Sequence, residues 1–200
     1  TRRSSDLIPR PKVVCVWLQG TPDPSVGPQD IALALIQAVF SQGFVKNKIL
    51  EFHGPGIHNL SVEYRSGIDV MTTETTYLSS IWETDDTVKA YYAGYGREEN
   101  YKELKLHAPA AFDSVITIDL STIRPMIALP FHPSNAYPIE DVIAHADDYL
   151  AKIDEEAEKQ YGAVGRNLCM RKKHHDGAIF VDQGIIAGCA GGSYENIALA

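Results

Sequence analysis

Six consecutive apolar residues, Val13-Val14-Cys15-Val16-Trp17-Leu18, constrain this chain more than any other feature. A run without polar alternation suits a strand buried on both faces, as strands are in a largely parallel sheet. A Pro/Gly-rich loop follows from Gly20 to Gly27. Pro28-Gln29-Asp30 then opens a helix, with proline in its first turn and an acid at its positive dipole end. Ile31, Leu35, Ile36, Val39 and Phe40 recur at helical spacing, and Gly43 closes the segment. Lys48 to Phe52 reads as a second strand. Strand, helix and strand in this order predict an α/β domain with a mainly parallel sheet.

Downstream, His53-Gly54-Pro55-Gly56-Ile57 predicts a tight loop, and Leu60, Tyr64, Ile68 and Met71 share one face of a helix over about 60–71. Thr75 to Trp82 favours extended structure, because Thr, Tyr and Ile fit a pleated surface. Thr84-Asp85-Asp86-Thr87 predicts a helix start leading into Val88 to Ala93, with Gly94 or Gly96 as the stop. Ser114 to Leu120 is a further strand. Four prolines with Ser134 and Asn135 mark 125–138 as a connecting loop. A domain boundary is placed there, with one unit expected over 1–130 and a partial second α/β unit over 131–200. In the second, Val142, Ala146, Tyr149, Leu150, Ile153 and Ala157 predict one long amphipathic helix over 139–161. An irregular linker over 162–177 follows, and 178–187 is expected to enter as a buried strand.

Length and charge narrow the function classes. Two hundred residues make one domain, or one domain and part of another. A formal net charge of -8 weighs against nucleic-acid binding, which leaves a basic footprint. The one dense basic cluster, Arg171-Lys172-Lys173-His174-His175, reads as a solvated loop. No apolar run approaches the ~20 residues that cross a bilayer, so no membrane span is expected. Thr1-Arg2-Arg3-Ser4-Ser5 does not lead into a secretory apolar region. Without an initiator methionine and with an abrupt end, the chain is expected to be a segment of a longer protein. Three cysteines, Cys15, Cys169 and Cys189, do not form a disulfide framework, and a reducing cytoplasm is the expected compartment.

Cys189 stands where the apolar run gives way to Gly188, Gly191 and Gly192, ahead of a helix start at Ser193-Tyr194-Glu195. Three readings are open: a small core residue, a thiolate ligand favoured by the helix N-terminus, or part of an anion-binding nest over 188–193. Cys169 with His174 and His175 offers a partial zinc set, although zinc takes four ligands in a structural site, or three and water in a catalytic one. Adjacent histidines on one loop also seldom both reach the same ion. Glu74, among Thr72, Thr73, Thr75 and Thr76, is either a surface acid or a partly buried one held by hydroxyls and able to move a proton. Asp69 can share that role. His53 caps a loop or lines a cleft, and the Phe131-His132-Pro133-Ser134-Asn135 loop contacts a ligand or docks a domain.

Four stretches in register resemble the aconitase family of iron–sulfur hydratases. They are Leu50-Glu51-Phe52-His53-Gly54-Pro55-Gly56-Ile57, Met71-Thr72-Thr73-Glu74, Pro125-Met126-Ile127-Ala128-Leu129-Pro130-Phe131-His132-Pro133, and Gly188-Cys189 with Ser193-Tyr194-Glu195-Asn196. The resemblance runs from about Lys12 to the last residue and is nearest to bacterial aconitase-like hydratases of unassigned substrate. It implies a three-layer α/β/α domain for residues up to about 130, the family's second domain, and the start of its third beyond. It implies that Cys189 is the first of three ligands to a 4Fe-4S cluster, with a Cys-x-x-Cys pair further on in the parent, and that Glu74 is the active-site glutamate. The implied reaction is reversible loss of water from a hydroxy di- or tricarboxylic acid, with His53, His132 and Ser193 on the substrate or cleft side. The implied partners are that acid and the remaining domains of the parent. Alone, this chain is expected to lack the cluster and to be inactive.

Two departures stand out. Val70 replaces the family's usual active-site asparagine, and Ala190-Gly191-Gly192 replaces the usual Thr-Asn-Ser after the cysteine. The alternative reading is therefore a non-catalytic, aconitase-like binding or regulatory protein.

Overall fold

The computed structural model describes residues 9–107 and 109–200. Four strands, β1 (Val13–Gln19), β2 (Ile49–His53), β3 (Ser79–Trp82) and β4 (Ser114–Asp119), form one sheet in the order β3-β2-β1-β4. Every neighbour pair is parallel, with Cys15 opposite Glu51 on one side and Val115 on the other. The helices between them are α1 (Pro28–Val39), α2 (Val62–Thr72) and α3 (Asp86–Gly94). The α/β class with a mainly parallel sheet is therefore as expected.

Local chemistry explains each start. The Asp30 carboxylate accepts the Gly27 N–H at 2.6 Å, closing the first turn of α1 behind Pro28. Ser61 caps α2 by accepting the Tyr64 N–H at 3.0 Å, and Asp85 caps α3 through the Val88 N–H at 3.2 Å. One sheet face, carrying Val14, Val16, Leu18, Leu50 and Phe52, meets Ile31 and Leu35 of α1 and Ile68 of α2 in the main core. Burial of each such side chain contributes ~1.5–3 kcal/mol. The other face is not covered in the same way, and Trp17, Ile81 and Val115 on it are exposed. Burial of β1 on both faces was expected, and it holds on this second face at Cys15, which is 4% exposed, but not at Trp17.

Beyond β4 the expectations need correction. Residues 125–138 are not a plain loop: β5 (Met126–Ala128) and β6 (Ala136–Pro138) pair antiparallel. This hairpin is tied to α1, since Asp30 accepts the Met126 N–H and the Gln37 amide donates to the Ala136 carbonyl, both at 2.6 Å. The boundary expected at residues 130 and 131 thus falls in the loop of one hairpin. The single helix expected over 139–161 is two, α4 (Ile139–Ala144) and α5 (Ala146–Tyr161). His145, at φ -129 and ψ 39, leaves the helical region between them. Leu129, Val142, Leu150 and Ile153 form a second, smaller core.

Only β8 (Ala178–Ile179) of the strand expected over 178–187 forms, paired with β7 (His174–His175). Val181, Ile185 and Ile186 remain exposed. Among the described residues no neighbouring strand matches this hydrophobicity, and without one the backbone donors and acceptors have no ladder to join. The chain ends in α6 (Gly188–Gly191) and α7 (Tyr194–Leu199).

Candidate functional site

In parallel α/β sheets, loops and helix N-termini gather at the carboxyl ends of the strands, where ligands usually bind. Residues 188–199 are laid across that edge, held by side chains from the first turns of α1 and α2. The Gln29 amide donates to the Ala190 carbonyl at 2.7 Å. Ser61 donates its hydroxyl to the Glu195 carboxylate at 2.5 Å, and the Glu195 N–H donates to Glu63 at 2.8 Å. The Asn196 amide also reaches the Ala190 carbonyl, at 2.8 Å.

Cys189 lies in the helical turn α6, not at the tip of a strand as expected, and its side chain is exposed. Gly188 enters that turn at φ +84, and a Cβ added at Gly192 would lie 2.4 Å from the Gly188 carbonyl. Beside Gly188 and Gly191, by contrast, an added Cβ meets nothing within 4 Å. The turn therefore closes through its backbone, with open space beside Gly188 and Gly191 on either side of the exposed Cys189. Ser193 caps α7 by accepting the Asn196 N–H at 3.4 Å, and it lines a cavity of about 420 Å³ with Ser25, Gly27, Tyr64 and Asn196. Burial and then the Asp30 charge hold the Tyr64 phenol well above its ordinary range. It stays a donor, giving its hydrogen to the Val26 carbonyl at 2.7 Å.

Glu74 sits in the 3-10 turn Thr73–Thr75 that ends α2, and it is exposed. The expected hydroxyl cradle is absent: Thr72, Thr73 and Thr75 donate to the carbonyls of Ile68, Val70 and Thr72. A tight turn puts those carbonyls within closer reach than the carboxylate. The α6 turn packs on α2 at Gly67, where an added Cβ would lie 3.9 Å from the Ala190 carbonyl. Glu74 follows about two turns further on, ~10 Å toward the opposite end of α2. There the Thr76 carbonyl accepts the Asn47 N–H ahead of β2, so the structure does not bring Glu74 to the Cys189 turn. Asp69, its expected companion, accepts the Trp82 indole N–H at 3.1 Å and the Tyr77 hydroxyl at 3.3 Å, which ties α2 to β3. Burial, with the Asp69 charge adding to it, pushes Tyr77 up to about 12.

His53, expected in a cleft or a loop cap, ends β2 and is 5% exposed. Its Nε2 lies 3.2 Å from Glu51 and its Nδ1 3.1 Å from Glu83, the latter out of hydrogen-bond alignment. It is enclosed by carboxylates, not open to a cleft. Cys15 shares this buried surroundings, where burial and then the charges of Glu51 and Glu83 push its thiol up. His132 lines a separate cavity of about 520 Å³ between the hairpin loop and α5. Cys169, His174 and His175 do not converge: they bond separately to Arg166, Asp147 and Asp176. Among the described residues no three His, Cys, Asp or Glu side chains are grouped to hold a metal, and no helix is long and apolar enough to cross a membrane.

Sequence reasoning missed Gln29, Ser61 and Glu63, which fix the Cys189 segment, and the buried pair of Arg65 with Asp85. Arg65 donates to Asp85 at 2.6 Å and to the Leu60 and Ile57 carbonyls at 3.2 and 3.1 Å. Its available signal was an arginine three residues before Ile68, on the inward side of an amphipathic helix.

The fold and this turn define a parallel α/β domain that presents one free thiol beside the carboxyl edge of its sheet. The chain belongs to the aconitase family (aconitate hydratase), whose model matches residues 5–200. It is 31% identical over 132 residues to 3-isopropylmalate dehydratase large subunit 1 of Thermotoga maritima, covering 66% of this chain and 31% of that protein. With the 3-isopropylmalate dehydratase large subunit of Oleidesulfovibrio alaskensis it shares 33% over 132 residues, again 66% of this chain and 31% of the relative. With that of Sulfurimonas denitrificans it shares 33% over 149 residues, 72% and 33% of the two. The match therefore spans about a third of these relatives' length.

Proposed function

We propose that this chain is the part of an iron–sulfur hydro-lyase that supplies one cluster thiolate and an active-site carboxylate. The observation that carries the reading is the exposed Cys189 sulfur in a glycine turn anchored by Gln29, Ser61 and Glu63. A soft thiolate with open space beside Gly188 and Gly191 fits one corner of a 4Fe-4S cluster. The other thiolates come from the rest of the parent, so the isolated chain is inactive. Bound there, the cluster supplies a Lewis-acid iron for the hydroxyl and carboxylate of the substrate.

The chain's own residues do the rest. Gln29 and Asn196 fix the Ala190 carbonyl and so the position of the sulfur. Ser193, on the cavity beside it, offers a hydroxyl to a substrate carboxylate. Glu74, exposed and unpaired among the described residues, takes or gives the proton that accompanies water. The substrate class is a hydroxy di- or tricarboxylic acid, with 3-isopropylmalate the first to test because the relatives are named for it. A reducing cytoplasm suits the three free thiols.

Anaerobic assay of the full-length protein with 3-isopropylmalate and citrate tests this. Glu74→Gln should lower kcat by ~10²–10⁴ with little change in KM, the range of a lost general acid–base group. Unchanged turnover in Glu74→Gln removes the glutamate from the reaction. No turnover with any hydroxy acid favours a non-catalytic family member, the reading that the side-chain-free Gly191-Gly192 pair supports.

A further inference from the structure

The cavity at His132 is unused by the reading above, and we infer that it is an accessory site for a hydroxy-carboxylic acid. One wall is the loop over 129–135, made stiff by its own hydrogen bonds. The Leu129 N–H donates to the Asn135 carbonyl at 2.8 Å, the Asn135 N–H to the His132 carbonyl at 2.9 Å, and the Asn135 amide to the Pro130 carbonyl at 2.7 Å. A preformed wall loses little entropy when a ligand arrives.

His132 is held twice over. Its ring stacks on Phe40 at 4.0 Å, and its Nδ1 accepts the Ser134 N–H at 3.1 Å. With Nδ1 an acceptor, the neutral ring carries its proton on Nε2, which has no partner among the described residues. The facing wall is α5, where Tyr149, Lys152, Glu156 and Lys159 recur on one helical stripe. Neither lysine forms an ion pair among the described residues. Two ammonium groups and an imidazole N–H are donors suited to a carboxylate. Glu155 and Glu156 line the same space and accept a hydroxyl hydrogen, Glu156 already taking the Gln160 amide at 2.8 Å. Leu129, Tyr149 and Ile153 offer an apolar floor for a carbon skeleton. Donors, acceptors and floor together match an acid that also bears a hydroxyl.

This site and the Cys189 turn stand at opposite ends of α1. Gln29, in its first turn, holds Ala190, whereas Phe40, just past its last turn, carries His132. Eleven residues of helix separate the two, ~16 Å. The inference does not rest on the cluster, so the two readings fail separately.

The test is calorimetry on the full-length protein with 3-isopropylmalate and with citrate as probes, in a Cys189→Ser background that removes the proposed cluster ligand. A binding event should persist there and weaken about tenfold or more in Lys152→Gln/Lys159→Gln, with the melting temperature unchanged. The His132 ring resonances should shift as the acid is added. No event in Cys189→Ser, an event indifferent to both lysines, or an unmoved His132 ring overturns the inference. So does a full-length structure in which an Asp or Glu side chain of the parent already fills the cavity.

Discussion

Arg65→Met should destabilise the domain by about 3–5 kcal/mol, because it leaves the Asp85 carboxylate buried without its cation. Arg65 and Asp85 are 4% and 8% exposed, and they join through a 2.6 Å hydrogen bond. The guanidinium also binds the Leu60, Ile57 and Glu83 carbonyls, so one side chain secures the loops that leave β2 and β3. Denaturant unfolding measures the loss, and Arg65→Met/Asp85→Leu should recover part of it, since an apolar pair leaves no orphaned charge. Burial pushes the Asp85 carboxyl up, but Arg65, His58 and the Val88 N–H outweigh it, and the net shift is downward. A depressed carboxyl contributes stability above its unfolded pKa and loses it as pH falls through the folded value. The wild-type domain should therefore weaken on the acid side of the usual aspartate range. In Arg65→Met that loss should shrink, because Asp85 without its cation has no such stabilisation to lose on protonation. The gap between the two proteins should narrow as pH falls; an identical acid limb in both proteins contradicts the pairing.

Gly54→Ala is the second large effect expected. Gly54 sits at φ +106 and ψ 167, a region essentially restricted to glycine, where any other residue costs about 1–3 kcal/mol. A Cβ there would also lie 2.4 Å from the Leu18 carbonyl oxygen and 3.0 Å from its nitrogen. Backbone of the central strand β1 cannot step aside as a side-chain tip can, which adds roughly 1–3 kcal/mol of overpacking. Gly94, near the end of α3, is the matched control: nothing lies within 4 Å of an added Cβ. Gly94→Ala should be neutral or slightly stabilising, as alanine favours a helix over glycine. Equal melting temperatures for the two variants contradict the close approach of the Gly54 turn to β1.

These two positions also show what a sequence can and cannot disclose. β1, α1 and β2 were legible because burial, capping and proline placement all act within a few residues. Gly54 and Gly56 announced a tight loop, but not that β1 presses against it. The β5–β6 hairpin was hidden because prolines dominate its composition, while its pairing depends on contact with Asp30 and Gln37 of a distant helix. Residues 178–187 have strand-like chemistry, and only the absence of a neighbour among the described residues kept most of them unpaired. At the site, Cys189 and Ser193 were conspicuous by their glycine setting. Gln29, Ser61 and Glu63 were not, since each meets residues 190–195 across more than a hundred positions of chain. Glu74 was visible as a lone acid among threonines; the direction of those hydroxyls is set by the turn, which composition does not encode.

The proposal that Cys189 anchors a cluster is tested most directly by the visible absorbance of the anaerobically purified full-length protein. Cys189→Ser should lose the broad iron–sulfur band and its turnover together, while Cys169→Ser, whose sulfur bonds to the Arg166 carbonyl, should keep both. An intact band in Cys189→Ser, or equal losses in the two variants, contradicts the account.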